Sequence, residues 1–151
     1  MSSKSHSFKV KQMINATRTV VYNAYSDPEA LKNWFSPSLE IQIEILKFNF
    51  EPGGDFRFRY TMEDGSKLVV GGCYTNIDPP CQLAFTWIWE EPDQHAGIPT
   101  LVVIQFNEEN GKTNVTIEHK HLPSLEACLR HKAGWQGTLG RLKSLFNDTK
   151  P

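Results

Sequence analysis

Apolar and polar residues alternate over seven separate stretches of the chain, and this period of two predicts β-strands. The alternation is clearest where Phe85, Trp87 and Trp89 take every second position, with Thr86 and Ile88 between them. Glycine, proline and Asp-Gly turn signals separate the second to seventh strands, with no helical pattern between them. The predicted strands span residues 8–14, 40–48, 55–61, 67–77, 82–89, 101–107 and 112–121.

Helical spacing of apolar residues occurs at three places. Two short helices are predicted directly after the first strand, and Ser26 with Glu29 fits a capping box at the start of the second. A long helix is predicted from Ser124 to about Phe146. Its buried stripe is expected to contain Cys128, His131, Trp135, Leu139, Leu142 and Phe146. This order predicts a single α+β domain with its core over residues 8–146 and flexible termini.

The predicted geometry is a curved antiparallel sheet of about seven strands wrapped around the long helix, with the two short helices closing one edge. A single helix about 10 Å wide cannot fill a wide curved sheet, so a gap with aromatic walls is expected. We expect a cavity of a few hundred Å³, with its mouth near residues 91–99 or the end of the second helix. The expected ligand-binding residues are Trp34, Phe56, Phe58, Tyr60, Phe85, Trp87, His119, His131 and Trp135.

The alternative for the same aromatic residues is a solid core, because large rings dominate protein interiors. Tyrosine and tryptophan carry a polar tip that needs a partner when buried, which indicates a mixed interior. Gly134 is expected to let the long helix approach the sheet, with Trp135 as its buried anchor. Gly71 and Gly72 inside a strand predict a bulge or bend.

Histidines are the candidates for other chemistry. Strand alternation places His119 and His121 on one face with Glu118 opposite, and His131 lies on the buried side of the long helix. No zinc-type spacing is present, so we expect no metal and no cofactor. A general-base role for His119 or His131 toward a bound carbonyl compound stays open, although no catalytic residue is assigned.

Charge and hydropathy limit the classes of partner that are expected for this protein. The 151 residues carry a formal net charge of -1, which argues against a dedicated nucleic-acid binder. Arg57 and Arg59 are predicted to point outward and, with Lys47, to form a modest basic patch. No apolar run approaches the ~20 residues of a membrane span, and the first residues lack the apolar core of a signal peptide.

The cysteines indicate the compartment. Cys73, Cys81 and Cys128 are an odd number at wide spacing, which is typical of a reducing cytoplasm. None has an evident triad partner, so a catalytic thiol is not expected. We expect a cytoplasmic protein that is a monomer or weak dimer.

An ordered set of short motifs extends the interpretation. Together they resemble the family named after the activator of the Hsp-90 chaperone ATPase, in particular its single-domain members within the START-like, helix-grip superfamily (birch-pollen-allergen-like, SRPBCC). The resemblance covers roughly residues 8–146 and implies the helix-grip fold. The motifs are Trp34-Phe35-Ser36-Pro37, Pro52-Gly53-Gly54-Asp55-Phe56, Gly72-Cys73-Tyr74, Ile77-Asp78-Pro79-Pro80, Leu83 to Trp87, Thr116 to His119, His121-Leu122-Pro123 and Gly134-Trp135.

Three functions remain open at this point. The aromatic inner face and the helix-grip resemblance favour binding of a small apolar or amphipathic molecule. The family name implies a stress-related role as the partner of a chaperone, although the eukaryotic co-chaperone has an additional N-terminal domain that the matched residues do not include. A cavity enzyme of the cyclase or aromatase type is the third alternative, and the fold alone does not decide among them.

Overall fold

The computed structural model describes residues 6–147, which contain seven strands and three helices. Residues 1–5 and 148–151, which include most of the termini predicted to be flexible, lie outside it. The strands are β1 (His6–Ile14), β2 (Gln42–Phe48), β3 (Asp55–Thr61), β4 (Lys67–Asp78), β5 (Gln82–Trp89), β6 (Thr100–Glu109) and β7 (Lys112–Leu122). The helices are α1 (Arg18–Ser26), α2 (Pro28–Trp34) and α3 (Leu125–Asn147).

All seven strands form one antiparallel sheet in the order β1-β7-β6-β5-β4-β3-β2. Five of the six pairings join strands that follow one another in the chain, and only β1 pairs with the distant β7. α3 lies closest to β1 and β7, α1 packs near β6 and β7, and α2 packs near β2 and α3. The predicted α+β sheet with a long terminal helix and two short helices is confirmed.

Strand alternation sorts the side chains of the sheet as predicted. On β3, Phe56, Phe58 and Tyr60 are buried, while Arg57 is exposed and Arg59 is half-buried between them. The inner face therefore carries large rings, and the outer face carries charges.

The basic patch predicted on that outer face does not exist, because each cation is paired. Lys47 Nζ lies 2.9 Å from Asp55, and Arg57 donates two hydrogen bonds to Glu90 at 2.7 and 2.8 Å. Arg59 likewise pairs with Glu44 on β2. Exposed pairs of this kind contribute little stability, but they leave the face close to neutral.

The helix ends differ slightly from the prediction. Asp27, not Ser26, caps α2, because its carboxylate accepts the backbone N–H of Glu29 at 3.0 Å. Ser26 is still the last residue of α1, which moves the cap one position along the chain. Ser124 caps α3 as expected, with its hydroxyl accepting the N–H of Ala127 at 3.1 Å.

Two strand predictions are wrong, namely the bulge at Gly71-Gly72 and the shared face of two histidines, while a bend at the glycines stays a prediction. The register shift between β4 and β5 lies between Tyr74 and Asn76, not at Gly71-Gly72. A side chain at Gly72 would collide with the backbone carbonyl of Thr86, so this glycine permits a close approach of two strands and not a bulge. His121 does not share the face of His119, because it has a φ of 66° near a register shift at the end of β7 and points to solvent.

The close approach of α3 depends on Gly137 and not, as predicted, on Gly134. A Cβ atom at Gly137 would collide with the backbone of Pro37, just after α2, whereas a Cβ at Gly134 would meet nothing within 4 Å. Arg141 strengthens this junction by donating to the Asn33 carbonyl at 2.9 Å and to the Ser36 hydroxyl. The end of α2 is thus held against the middle of α3.

Within residues 6–147, no helix is both long enough and apolar enough to cross a membrane. The same residues contain no cluster of three or more histidine, cysteine, aspartate or glutamate side chains arranged to hold a metal ion.

Gly137→Ala should destabilise the fold by about 1–3 kcal/mol, because the new methyl group must push the Pro37 backbone away from α3. Gly140→Ala is the matched control: a Cβ there meets open space, and alanine favours the helix by up to about 1 kcal/mol. Urea unfolding of both variants measures the difference. Equal stability of the two would show that the α2–α3 contact is not tight.

Candidate functional site

A cavity of about 220 Å³ lies between α3 and the inner face of the sheet. Its wall combines ends of β3, β4 and β5, one side of α3, and the segment that follows α2. Most of the lining atoms are apolar, and several lining residues are half-exposed, so the cavity has a mouth. The lining residues are Pro37, Ile41, Tyr60, Met62, Leu68, Trp87, Trp89, Arg130, His131, Gly134, Trp135 and Thr138.

The gap exists because α3 follows one edge of the sheet. Its backbone lies near β1 and β7 and away from β3, β4 and β5. At the level of the cavity α3 presents Gly134, whose missing side chain leaves open space toward the sheet. The rings of Trp87 and Trp135, with centroids 5.0 Å apart, close the inner end.

Four of the nine residues expected to bind a ligand line this cavity: Tyr60, Trp87, His131 and Trp135. The structure thus brings together β3, β5 and α3 as the sequence pattern implied. That these four side chains contact a ligand stays a prediction.

The other five predicted residues lie outside the cavity. Phe56, Phe58 and Phe85 surround a void of only about 10 Å³, which is at the lower limit for a single water molecule. Trp34 is 1% exposed and packs edge-on against Tyr25.

Phe35 explains why only some of the predicted aromatic residues line the cavity. Its ring, placed by the end of α2, lies 5.8 Å from the rings of Phe58 and Trp135 and 6.3 Å from that of Trp87. It therefore separates the solid aromatic core under α1 and α2 from the open part under α3. Alternation along a strand identifies inward-facing residues, but it does not tell which helix covers them.

Several lining residues were not among the nine expected ligand-binding residues. Trp89 shares the alternation of Phe85 and Trp87, which made it a candidate for the pocket wall from the sequence alone. Met62 and Leu68 flank the β3–β4 turn, and Ile41 precedes β2, where no periodic pattern marks a face. The remaining missed residues are Pro37, Arg130, Gly134 and Thr138.

His119 lies behind the cavity wall and is fully buried. Its Nδ1 accepts the indole N–H of Trp135 at 2.9 Å. Its Nε2 lies 2.8 Å from the Thr100 hydroxyl, which itself donates to the Trp87 carbonyl at 2.6 Å. Because the hydroxyl proton is used on Trp87, Nε2 must donate to Thr100. His119 is therefore a neutral imidazole with both nitrogens bonded.

His131, at the mouth of the cavity, also accepts a tryptophan N–H with one ring nitrogen and donates with the other. Its Nδ1 lies 2.8 Å from the carbonyl of Ala127 and donates to it, while Nε2 accepts the indole N–H of Trp89 at 2.9 Å. Both imidazoles thus use both ring nitrogens on protein groups. Neither offers a free nitrogen to a metal or to a substrate, which disfavours the general-base alternative.

The rim carries one ion pair. Arg130 donates to both carboxylate oxygens of Asp93 at 2.6 and 3.1 Å. Its guanidinium also lies 5.2 Å from the ring centre of Trp89, a cation–π distance. Asp93 belongs to the loop between β5 and β6, so this pair fastens the loop to α3 beside the mouth.

A family model described as "Activator of Hsp90 ATPase homolog 1-like protein" matches residues 15–147. The chain belongs to this family. No curated protein matches the chain significantly. In this family member, the buried aromatic cluster and the helix-grip arrangement fit a ligand-binding domain.

Solved structures show the same fold. Protein CV1439 from Chromobacterium violaceum is 20% identical, with 93% of this chain and 96% of that chain covered and a TM-score of 0.82. The AHSA1 (SPO3351) protein from Silicibacter pomeroyi is 22% identical over 92% of this chain and 96% of its own, with a TM-score of 0.81. CalU16 from Micromonospora echinospora is 22% identical over 91% of this chain and 74% of its own, with a TM-score of 0.67.

Burial controls the ionisation of the two histidines in this family member. Desolvation, with a smaller contribution from nearby His131, lowers the pKa of His119 to about 2. The pKa of His131 is also lowered, chiefly by burial. A proton added to either ring would place an N–H donor against the indole donor that it now accepts. Both networks therefore require neutral rings.

Trp135→Ala should destabilise the protein by about 3–5 kcal/mol, because the indole is 5% exposed and its loss leaves His119 Nδ1 without a donor. Trp135→Phe, which keeps a ring but removes the N–H, should have a smaller effect. Denaturant unfolding measures both. A loss below about 1 kcal/mol for Trp135→Ala would mean that the ring stands in an open cavity.

Stability should fall as the pH drops below about 6.5, the pKa of histidine in the unfolded chain. Unfolded His119 binds a proton near that pH, whereas folded His119 binds one only near pH 2. Acid therefore favours the unfolded state, by about 1.4 kcal/mol per pH unit for one such histidine. Urea unfolding at pH 7.0 and 5.5 tests this.

The control for the pH experiment is His119→Gln, which cannot titrate. Its stability should change less between the two pH values than that of the wild type, by the contribution of one histidine. An identical pH dependence of the two proteins would contradict the assignment of a neutral, buried His119.

Proposed function

We propose that the protein binds a small, mostly apolar molecule in the cavity between α3 and the sheet, without catalysing a reaction on it. The observation that carries this proposal is the 220 Å³ cavity itself, which has aromatic walls and a mouth. Drug-sized ligands occupy pockets of about 300–1,000 Å³. The ligand is therefore small, such as a single substituted ring, or extends out through the mouth.

The energetics favour an occupied site. Protein interiors are close-packed, so the aromatic walls of this 220 Å³ space lack contacts that an apolar ligand would supply. Gly134 leaves this space open where a leucine would fill it without meeting another atom near its Cβ. Burying an apolar ligand there would recover about 25 cal/mol per Å² of surface removed from water.

A role as the protein partner of a chaperone has less support. Leu125 and Leu129, 64% and 61% exposed, lie one turn apart on α3 and form the clearest apolar pair on that helix. Two side chains are small beside the patches of several hundred Å² that mark protein interfaces. Ligand binding is therefore the preferred function.

The setting that we propose is the cytoplasm, with the chain acting as one domain and as a monomer or weak dimer. Cys73, Cys81 and Cys128 are all free thiols in the structure, which supports a reducing compartment.

Gly134→Leu should weaken binding of naphthalene more than tenfold, because the leucine side chain would occupy the cavity. Gly140→Leu is the matched control: it introduces the same residue in the same helix, also into open space, but outside the cavity wall. Both changes replace a helical glycine with a good helix former, so both variants should fold. Titration followed by tryptophan fluorescence gives the affinities.

The outcome that contradicts the proposal is equal naphthalene affinity of the two leucine variants, or no binding by the wild type. Native mass spectrometry of the wild-type protein, purified without added ligand, would reveal a retained small molecule and its mass.

A further inference from the structure

A hydrogen bond between two side chains forms part of the cavity wall. Trp89 and His131 both line the cavity, and the indole N–H of Trp89 donates to Nε2 of His131 at 2.9 Å. The other ring nitrogen of His131 is directed to the carbonyl of Ala127. The acceptor nitrogen that His131 brings to the wall is therefore covered by an indole.

The other polar side chains of the wall are also directed at protein groups. Tyr60 donates its O–H to the carbonyl of Phe35 at 3.1 Å. Thr138 donates to the carbonyl of Gly134 at 2.9 Å, and Trp135 donates to a histidine behind the wall at 2.9 Å. These donors are already engaged when a ligand enters.

Two further polar groups of the lining leave this picture unchanged. Arg130 donates two hydrogen bonds to Asp93, so its charge is paired. Nε1 of Trp87 is buried and presents no surface to the cavity. A ligand hydroxyl or amine would thus lose its hydrogen bonds to water, and would find the imidazole acceptor of the wall already occupied.

We propose that Trp89 is a specificity-determining residue: by covering Nε2 of His131, its indole makes the cavity select hydrocarbon or halogenated rings over rings that carry a hydroxyl or an amine. This inference rests on the proposed function and adds the chemical class of the ligand. A neutral imidazole nitrogen without a donor would accept a ligand O–H. The indole removes that possibility, so the buried part of the ligand is apolar and any polar substituent lies at the mouth.

A purely structural hydrogen bond would affect stability and leave selectivity unchanged, so selectivity is the quantity to measure. Toluene and phenol have nearly the same size and differ by a methyl group in place of a hydroxyl group. The ratio of their affinities is measured in the wild type and in Trp89→Phe, which keeps an aromatic ring but uncovers His131. Trp89 is half-buried, and this variant should fold.

Trp87→Phe is the matched control. It makes the same change two residues away on β5, in the same wall, but the N–H that it removes covers no acceptor. Comparing ratios between proteins cancels the different hydration of toluene and phenol. The indole N–H signal of Trp135, which both variants retain, gives the affinities by NMR titration at about pH 8, where an ordinary histidine is neutral.

The wild type should bind toluene at least about tenfold more tightly than phenol, because the hydroxyl loses its hydration in an apolar site. In Trp89→Phe this ratio should fall by about two- to tenfold, the effect of one hydrogen bond. Trp87→Phe should keep the ratio of the wild type, although the smaller ring lowers both affinities.

An unchanged ratio in Trp89→Phe, or an equal fall in both variants, would overturn the role of Trp89 while leaving the proposed function intact. Phenol binding the wild type as tightly as toluene would overturn the selectivity for apolar rings. A wild type that bound naphthalene but neither toluene nor phenol would contradict this inference alone. If none of the three bound, the proposed function would fail with it.

Discussion

A single long helix has to cover a sheet of seven strands, and the interior of this protein follows from that constraint. α3 packs against one edge of the sheet, while α1 and α2 cover part of the rest. The inner face between them must be filled by large rings. Phe35 fills the centre, and the space that remains beside Gly134 is the cavity.

An aromatic interior creates a second requirement, because each buried indole brings an N–H donor. Trp34 donates to the Ala24 carbonyl, Trp89 to His131, and Trp135 to His119. The histidines thus serve as acceptors for tryptophan in an environment that keeps them neutral. This structural role accounts for imidazoles that a sequence interpretation could assign to metal binding or catalysis.

The sequence predicted the fold well because alternation and turn signals act locally. The β3 pattern of Phe56, Phe58 and Tyr60 specified the inner face without tertiary information. The cavity wall was harder to predict, since it depends on where α3 and α2 meet. Gly134 and Gly137 are three residues apart on one helix, yet only the Pro37 backbone determines which of them is the contact and which is the gap.

The difference between local patterns and contacts of distant segments also explains the other wrong predictions. His121 does not share the face of His119 because His121 itself has a left-handed backbone at the end of β7. Strand alternation does not predict such a conformation. The pairing of Arg57 with Glu90 depends on strands that are far apart in the chain. Local patterns specify the elements, while contacts between distant segments decide the site.

The indole N–H signals of the four tryptophans give the most direct test of the account, because three of these side chains line the cavity and Trp34 does not. Two-dimensional ¹H–¹⁵N NMR during titration with naphthalene, with each signal assigned by a Trp→Phe variant, would follow them separately. We predict that the signals of Trp87, Trp89 and Trp135 shift with a common saturation curve while that of Trp34 stays in place. Shifts at Trp34 equal to the others, or no shift at the three cavity residues, would contradict a ligand site between α3 and the sheet.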